Sequence, residues 1–434
     1  GYDKYGGNCH MVPNHGLIIH SLLHGDGDFS ETLKIVNTCG WDTDCNSGNV
    51  GCLMGILVGV DGIDASIDKG IDWRGPVADR LYCPTSDGDR CISDCVREAT
   101  QIINMGHTLG GAPRFAPKQG AQFHFSFKGS VQGFQVQSGT AQLSNPDGDA
   151  LHISGKAGAR IGTPVFAPSL EVADYFEKAH YKLMASPRIF PGQHVSAGVS
   201  SPDANLYIAY YGEGDETCYV DVDNPDDPLN PSINVPKVPG PIFEVGLRLN
   251  KDVSLQLNHV GWQGNPEVTF ERPQHKGLMW KRAWVDAVDQ LLGWSEMFRL
   301  VQNEGLGMIS QGTREWTNYV VSADVTPHLV SRAGIAARVQ GLTRFYALMV
   351  TVDQKVQLVK SVHEESVLAE ADFSWTLGDT LNMSLRVDGD ELVGEIDGTV
   401  VLTAKDTSLD SGAIGLVVAD GRTATNKVAV APLS

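Results

Sequence analysis

The feature that most constrains the fold is a change of character near Gly110–Pro113. Before this point, apolar residues recur three and four positions apart, which is typical of helices. From Phe115 onward, short alternating runs are separated by glycine and proline, which is typical of strands. The chain has 434 residues, and single cores rarely grow beyond about 250–300 residues. We therefore predict a multidomain α+β protein in which an all-α region precedes all-β domains.

The strand-like part divides again at a tryptophan-containing stretch that begins at Trp280. Val131–Phe134 and Tyr207–Tyr211 read as strands of the first part, and strands recur at regular spacing in the second. Trp284 and Leu291 fit short helical pieces between the two parts. The predicted domains are a helical domain at 1–112, a β-sandwich at 113–280, a connector at 281–298 and a jelly-roll-like β-sandwich at 299–434.

Charge and hydropathy exclude two classes of partner. The formal net charge is −19, so the phosphate backbone of a nucleic acid would be repelled. We find no run of about 18 apolar residues, which argues against a membrane span. The first residue is Gly1 and no signal-peptide pattern follows, which indicates a processed chain or a fragment. The glycosylation sequon at Asn382 is usable only outside the cytoplasm, and an extracellular location is favoured over a cytoplasmic one.

Two helices of the N-terminal region have clear local signals. Asp28-Phe29-Ser30-Glu31 resembles a capping box, so a helix is expected to begin at Phe29. A longer helix is expected from the Gly40–Asp44 turn to about Val60, and its glycines repeat every fourth residue. Interior glycines each cost about 1 kcal/mol relative to alanine, so the stripe predicts a closely packed neighbouring helix. The glycines are Gly51, Gly55 and Gly59.

Seven of the eight cysteines lie in the first hundred residues, and no two have the Cys-x-x-Cys spacing of a zinc ribbon. Two interpretations stand for Cys83 and Cys91. They are buried thiols, or they close a disulfide loop across the turn-rich segment 84–89.

Asp42 and Asp44 flank Thr43 at the start of the glycine-striped helix. Carboxylates at a helix N-terminus accept hydrogen bonds from exposed backbone N–H groups, so one interpretation is helix capping. Two carboxylates on one turn also offer the oxygen ligands that Mg²⁺ or Ca²⁺ prefers. The pattern alone leaves both interpretations open.

The surrounding motifs occur in a characteristic order. Asn14-His15-Gly16 is followed by Gly27-Asp28-Phe29, by Asn37, by Gly40-Trp41-Asp42-Thr43-Asp44 and then by a helix of small residues. This arrangement, over about residues 10–105, resembles the C-terminal metal motif of the ADP-ribosylglycohydrolase family. The resemblance implies an all-α fold and two magnesium ions.

By the same resemblance, Asp42 and Asp44 would be metal ligands. The resemblance also marks Gly40, Trp41 and Thr43 as substrate-binding. Cys45 stands where the family often has a threonine or serine ligand, and a thiol is a poor ligand for magnesium. No catalytic residue is identified.

The family's first half supplies a Gly-Asp motif and an Asp-Asp-Thr motif. Neither precedes residue 10 here, and no Asp-Asp-Thr occurs later in the chain. We therefore expect the chain to carry half of a binuclear site, completed by an N-terminal helical segment or by another chain. The implied function is magnesium-dependent hydrolysis of ADP-ribosyl or related N- or O-glycosidic linkages. The alternative is a non-catalytic glycan-binding or structural protein, and a homo-oligomer is compatible with either.

The β-domains bear on the glycan-binding alternative. Residues 300–434 resemble a concanavalin or laminin-G-like sandwich through Trp316, Tyr319 and Gly412–Gly415, among other positions. Tryptophan rings stack on sugars, but they also fill cores. Both interpretations are kept for Trp262, Trp316 and Trp375.

Overall fold

The computed structural model describes residues 2–7, 9–83, 85, 87–178, 184–223, 226–293 and 295–433. The chain forms two compact units, Gly1–Asp79 and Arg80–Ser434. The predicted α+β organisation is confirmed, with helices dominating the first unit and strands the second. The predicted domain limits at 112, 280 and 298 stay predictions. None of the described helices is long and apolar enough to cross a membrane.

The first unit is a small helical assembly. The backbone N–H of Glu31 donates a 2.9 Å hydrogen bond to the Asp28 carboxylate, which confirms the capping box and explains why the second helix begins at Phe29. The helices bury Phe29, Val36 and Met54 in one apolar cluster. The elements are α1 (Met11–His24), α2 (Phe29–Thr38), α3 (Thr43–Asp64) and a 3₁₀ turn (Ile67–Lys69).

The glycines of α3 have different surroundings. A Cβ on Gly51 would lie 3.8 Å from the Leu33 side chain of α2, an ordinary contact. Within the described part of the chain, nothing lies within 4 Å of a Cβ built on Gly48 or Gly59. Gly59 has φ of 66° at a kink that interrupts α3, a conformation that glycine adopts without steric cost. The sequence pattern did not indicate this kink.

The second unit begins with β1 (Arg80–Tyr82), β2 (Ile92–Asp94) and α4 (Cys95–Gly110). The Asp94 carboxylate caps α4 by accepting a 2.9 Å hydrogen bond from the backbone N–H of Arg97. Ile92 packs with Tyr207 and Phe243 of the following β-sandwich. This packing joins residues 80–94 to the β-rich unit, although their sequence reads as part of the helical region.

The first β-sandwich has two antiparallel five-stranded sheets, ordered β10-β7-β12-β5-β4 and β3-β6-β11-β8-β9. Inward side chains of both sheets, such as Leu151 and Ile208, share one core. A helix, α5 (Leu170–Lys178), lies between β6 and β7 in sequence. The strands are β3 (Gln135–Ser138), β4 (Ala141–Ser144), β5 (Leu151–Gly155), β6 (Arg160–Pro164), β7 (His194–Val199), β8 (Ala204–Tyr211), β9 (Thr217–Val222), β10 (Ser232–Asn234), β11 (Ile242–Leu249) and β12 (Val253–Gln263).

The predicted strand Tyr207–Tyr211 is confirmed within β8, but the predicted strand Val131–Phe134 is wrong. That segment is a turn, in which Gln132 has φ of 47° and Gly133 has φ of 79°. The Gln132 side-chain oxygen accepts 2.8 Å hydrogen bonds from two backbone N–H groups of the preceding segment. A buried side chain therefore supplies the hydrogen bonds that a strand partner would have supplied.

The second β-sandwich contains β13 to β26, with the path β21-β20-β19-β18-β25-β17-β22-β23-β24 and further strands on β16, β17 and β25. Burial alternates along β17, as expected for a strand with one inward face. The elements are β13 (Val268–Glu271), α6 (Met279–Arg282), β14 (Val285–Ala287), β15 (Gln290–Leu292), β16 (Phe298–Gln311), β17 (Tyr319–Leu329), β18 (Arg332–Gly341), β19 (Arg344–Thr351), β20 (Lys355–Val362), β21 (Glu364–Asp372), β22 (Leu381–Asp388), β23 (Glu391–Ile396), β24 (Thr399–Lys405), β25 (Ala413–Thr425) and β26 (Lys427–Pro432).

The predicted helical connector at 281–298 needs correction. Among the described residues of this segment, only Met279–Arg282 forms a helical turn, and β14 and β15 both pair with β16. The spacing of a short apolar run does not distinguish a helix from a strand. Here both short runs form strands because they pair with β16.

Candidate metal-binding site

The site is built on the turn between α2 and α3. Gly40 has φ of 67° and Asp42 has φ of 43° with ψ of 52°, so the chain twice enters the left-handed region. A non-glycine residue in this region is uncommon and carries a local energetic cost. The turn therefore holds Asp42 in a conformation that helix capping does not require.

The side chain of Asp42 is held from α1. Asp42 occupies the N-cap position of α3, yet its carboxylate makes no capping hydrogen bond. The Asn14 side-chain amide donates to one carboxylate oxygen, and the Cys9 thiol lies 4.0 Å from the other. The capping interpretation of Asp42 is therefore wrong.

Asp42, Asp44 and Cys45 converge on one point of the surface. One potential ligand atom from each residue lies within 4.8 Å of the others, and Asp44 and Cys45 are exposed. Two carboxylates at this spacing match the oxygen ligands of a hard divalent cation. The two predicted metal ligands are thus brought together.

Cys45 does not suit magnesium. Hydrogen bonding to Asp42, and then the negative charge of Asp42, raise the pKa of the Cys45 thiol. The metal-binding form of cysteine is the thiolate, and thiolates prefer softer metals. Asp42 and Asp44 therefore fit a magnesium ion, whereas Cys45 does not fit as its third ligand.

The residues predicted to bind substrate have different exposures. Gly40 is exposed and Thr43 is half-buried, but Trp41 is buried. The Trp41 ring stacks on Tyr2 at 3.9 Å, and the Tyr2 hydroxyl donates to the carbonyl of Gly40 at 3.0 Å. Trp41 therefore shapes the turn from inside, while Gly40 and Thr43 remain accessible.

The sequence pattern did not identify Asn14 and Cys9 as part of this site. Asn14 lies in the first turns of α1, 28 residues before Asp42. Its side-chain oxygen is buried and has no hydrogen-bond partner among the described residues. The only sequence signal was the place of Asn14 in the motif order, because contacts between separate helices leave no local pattern.

The three tryptophans considered for sugar stacking are buried. Trp316 packs edge-on against Phe190 in the core of the second β-sandwich. The indole N–H of Trp262 donates to Glu315 at 2.8 Å, and that of Trp375 donates to the carbonyl of Thr351 at 2.9 Å. These positions favour the core interpretation over sugar stacking.

Cys83 and Cys91 have separate thiols and do not form a disulfide.

The helices of the first unit expose large apolar side chains. On α1, Met11 is 78% exposed and Leu23 is 74% exposed, and on α3, Ile56 is 78% exposed and Leu57 is 70% exposed. Single exposed apolar residues are common on soluble proteins, whereas several large exposed apolar side chains on neighbouring helices are less common.

Several solved structures are similar to part of the chain. The carbohydrate-binding module CBM66 from Bacillus subtilis is 18% identical, with a TM-score of 0.31, over 34% of this chain and 94% of that one. A legume lectin-like domain from Entamoeba histolytica is 9% identical, with a TM-score of 0.30, over 38% and 97%. The GH43 protein BlXynB from Bacillus licheniformis is 12% identical, with a TM-score of 0.33, over 68% and 65%.

A comparison with curated proteins gives no match. A family model gives a match to the part of the chain that contains the Asp42–Cys45 cluster and its supporting helices. Residues 2–100 match the model of the ADP-ribosylglycohydrolase family.

Proposed function

We propose that this chain is part of a magnesium-dependent glycohydrolase that cleaves ADP-ribosyl or related N- or O-glycosidic linkages. The observation that carries the proposal is the pair Asp42 and Asp44, presented together on a left-handed turn. The turn lies within residues 2–100, the segment similar to ADP-ribosylglycohydrolases.

In this proposal, Asp42 and Asp44 hold magnesium at the start of α3. The ion would polarise ribose hydroxyls and stabilise the charge that develops as the glycosidic bond breaks. Asn14 fixes the direction of the Asp42 carboxylate through its amide hydrogen bond. Tyr2 stacks on Trp41 and donates a hydrogen bond to the carbonyl of Gly40, so it contacts the turn that carries both aspartates.

We also propose that a second helical segment, from the same polypeptide or from another chain, completes the site. Magnesium keeps several waters among its six oxygen ligands, so two adjacent carboxylates can hold one ion but not the two ions that the family resemblance implies. The exposed apolar faces of α1 and α3 provide a surface for such a segment. In the second unit, α4 exposes Ile102, Met105 and Leu109 at helical spacing, which suits the same kind of partner.

The test is a calorimetric Mg²⁺ titration of the complete assembly, comparing Asp42→Asn with the unchanged protein. Asparagine keeps the size of the side chain but removes its charge, so binding should weaken at least tenfold. Asp68→Asn is the matched control, because Asp68 is an exposed aspartate of the same unit and lies outside the cluster. Equal Mg²⁺ affinity of Asp42→Asn and Asp68→Asn would contradict the assignment of Asp42 as a metal ligand.

A second candidate function is glycan binding by the last β-domain. A groove of about 740 Å³ on the sheet that contains β17, β22 and β26 is lined by carboxylates, amides and hydroxyls. Asp324, Asn382 and Glu395 are among them, and such groups hydrogen-bond to sugar hydroxyls. Binding of the full chain to immobilised glycans should be lost in Asp324→Ala. Binding that survives this change would place the sugar elsewhere.

A further inference from the structure

A basic cavity lies in the second unit, beside the segment that joins β13 to α6. Its volume is about 660 Å³, within the roughly 300–1,000 Å³ of ordinary small-molecule sites. Arg272, Lys276 and Lys281 are among the residues that line it, and no aspartate or glutamate is among the described ones. The whole chain has 33 lysines and arginines against 52 aspartates and glutamates. The lining therefore reverses the charge balance of the chain and favours an anion.

Two of the three cationic side chains have no carboxylate partner in the described part of the chain. Lys276 is exposed and Lys281 is half-buried, and neither forms an ion pair there. The ammonium of Lys281 donates a 3.0 Å hydrogen bond to the carbonyl of Leu291, which fixes its position without neutralising its charge. An ammonium has three donors, so others remain for a ligand. Coulomb attraction also needs only proximity, not the exact direction of a hydrogen bond.

Two carboxylates lie close to the same segment, and both are already engaged. Asp215 accepts hydrogen bonds from the backbone N–H groups of Leu278 at 2.6 Å and Met279 at 3.1 Å, so it holds the turn that leads into α6. Glu271 forms an ion pair with Lys427 at 3.0 Å. Neither carboxylate is among the residues that line this cavity. The three cationic side chains therefore determine the sign of its charge.

An apolar surface lies beside the basic side chains. Trp280 lines the cavity, and its indole N–H donates a 3.0 Å hydrogen bond to the carbonyl of Gly277. Its ring stacks on Phe298 with the ring centroids 5.6 Å apart, so the ring is held in place from behind. Leu278, which is 49% exposed, also lines the cavity. The cavity therefore offers a wall for an organic group as well as cations for an anionic group.

We propose that this cavity binds a small phosphate monoester. A phosphate monoester carries a charge of about −1.5 to −2 at pH 7 and three strong acceptor oxygens. Coulomb energy scales with charge, so three cationic side chains favour this group over a carboxylate. Arginine and lysine are also the usual donors to phosphate. The organic group of the ester lies against Trp280. This site does not depend on the function proposed for Asp42 and Asp44.

The test is calorimetry on the full chain at low ionic strength and without Mg²⁺, with phenyl phosphate as the probe. Phenyl phosphate should bind saturably with one site per chain, and its affinity should fall as NaCl is added because salt screens exposed charges. Benzoate carries one negative charge and should bind about threefold to tenfold more weakly. Phenol carries no charge and should not bind measurably.

Variants test the basic side chains directly. Lys276→Gln keeps a polar side chain and removes one charge, so it should weaken phenyl phosphate about threefold to tenfold. The double variant Lys276→Gln, Lys281→Gln should weaken it about tenfold to a hundredfold. Lys405→Gln is the matched control, because Lys405 is exposed, lies in the same unit and does not line the cavity. It should bind phenyl phosphate normally. Circular dichroism checks that each variant is folded.

Three results would overturn the proposal. The first is the absence of saturable phenyl phosphate binding to the unchanged chain. The second is equal affinity for phenyl phosphate and phenol, which would show that the aromatic ring alone is recognised. The third is a double variant that binds phenyl phosphate as well as Lys405→Gln does, which would place the anion elsewhere on the chain.

Discussion

Glu244 gives the sharpest prediction about stability. It lies in β11 and is 7% exposed, and its carboxylate accepts a 2.5 Å hydrogen bond from the Tyr207 hydroxyl. Burial raises the pKa of Glu244 to about 6 from its ordinary value of 4.5. The folded state therefore favours the protonated form of Glu244. The stabilisation that results from this preference is complete below about pH 4.5 and is lost as pH rises through about 6.

The expected magnitude follows from the pKa. A difference of about 1.5 units, at about 1.36 kcal/mol per unit, corresponds to on the order of 2 kcal/mol. Glu244→Gln keeps an oxygen that accepts from Tyr207 and cannot ionise. We therefore expect the variant to match the unchanged protein at pH 4.5 and to exceed its free energy of unfolding by up to about 2 kcal/mol at pH 8.

Urea denaturation of the full chain at both pH values, followed by far-UV circular dichroism, measures this difference. Glu304→Gln is the matched control, since Glu304 is an exposed glutamate on β16. Parallel pH profiles of Glu244→Gln and the unchanged protein would refute the reasoning. A variant that is less stable at pH 8 would refute it as well.

Two further substitutions test other parts of the structure. Asp28→Ala removes the cap of α2 and should lower the stability of this helix by about 1 kcal/mol, measured as faster hydrogen exchange in residues 29–38. Asp28→Asn keeps a capping oxygen, so the same residues should exchange nearly as slowly as in the unchanged protein. Asp406→Asn should lower the free energy of unfolding by about 1–3 kcal/mol at pH 7, measured by urea denaturation, because the carboxylate accepts 2.6 Å hydrogen bonds from Lys360 and Tyr346. Burial by itself raises the pKa of Asp406, but these hydrogen bonds lower it. The stabilisation by the ionised carboxylate is therefore present above about pH 4. The difference in free energy of unfolding between Asp406→Asn and the unchanged protein should shrink as pH falls further.

Local patterns predicted the elements whose causes are local. The Asp28 cap involves residues three positions apart, and the alternation along β17 reflects one buried face. The turn at Gln132 and the strands of the 281–298 segment depend on distant partners. Their sequences fit more than one structure until those partners are in place.

In the candidate site, too, contacts between sequence neighbours were predictable, whereas contacts between distant residues were not. Asp42 and Asp44 are close in sequence, so their proximity was predictable from the turn. The hydrogen bond from Asn14 crosses from one helix to another, and the burial of Trp41 depends on Tyr2. No spacing within a single element carries this information.

We propose that this chain holds only part of a metal-dependent active site. The most direct measurement is hydrolysis of an ADP-ribosylated protein by purified residues 1–434 in the presence of Mg²⁺. We predict no hydrolysis by this chain alone, and hydrolysis after addition of the complementary helical segment that is abolished by Asp42→Asn. Mg²⁺-dependent hydrolysis by residues 1–434 without any partner would contradict the claim.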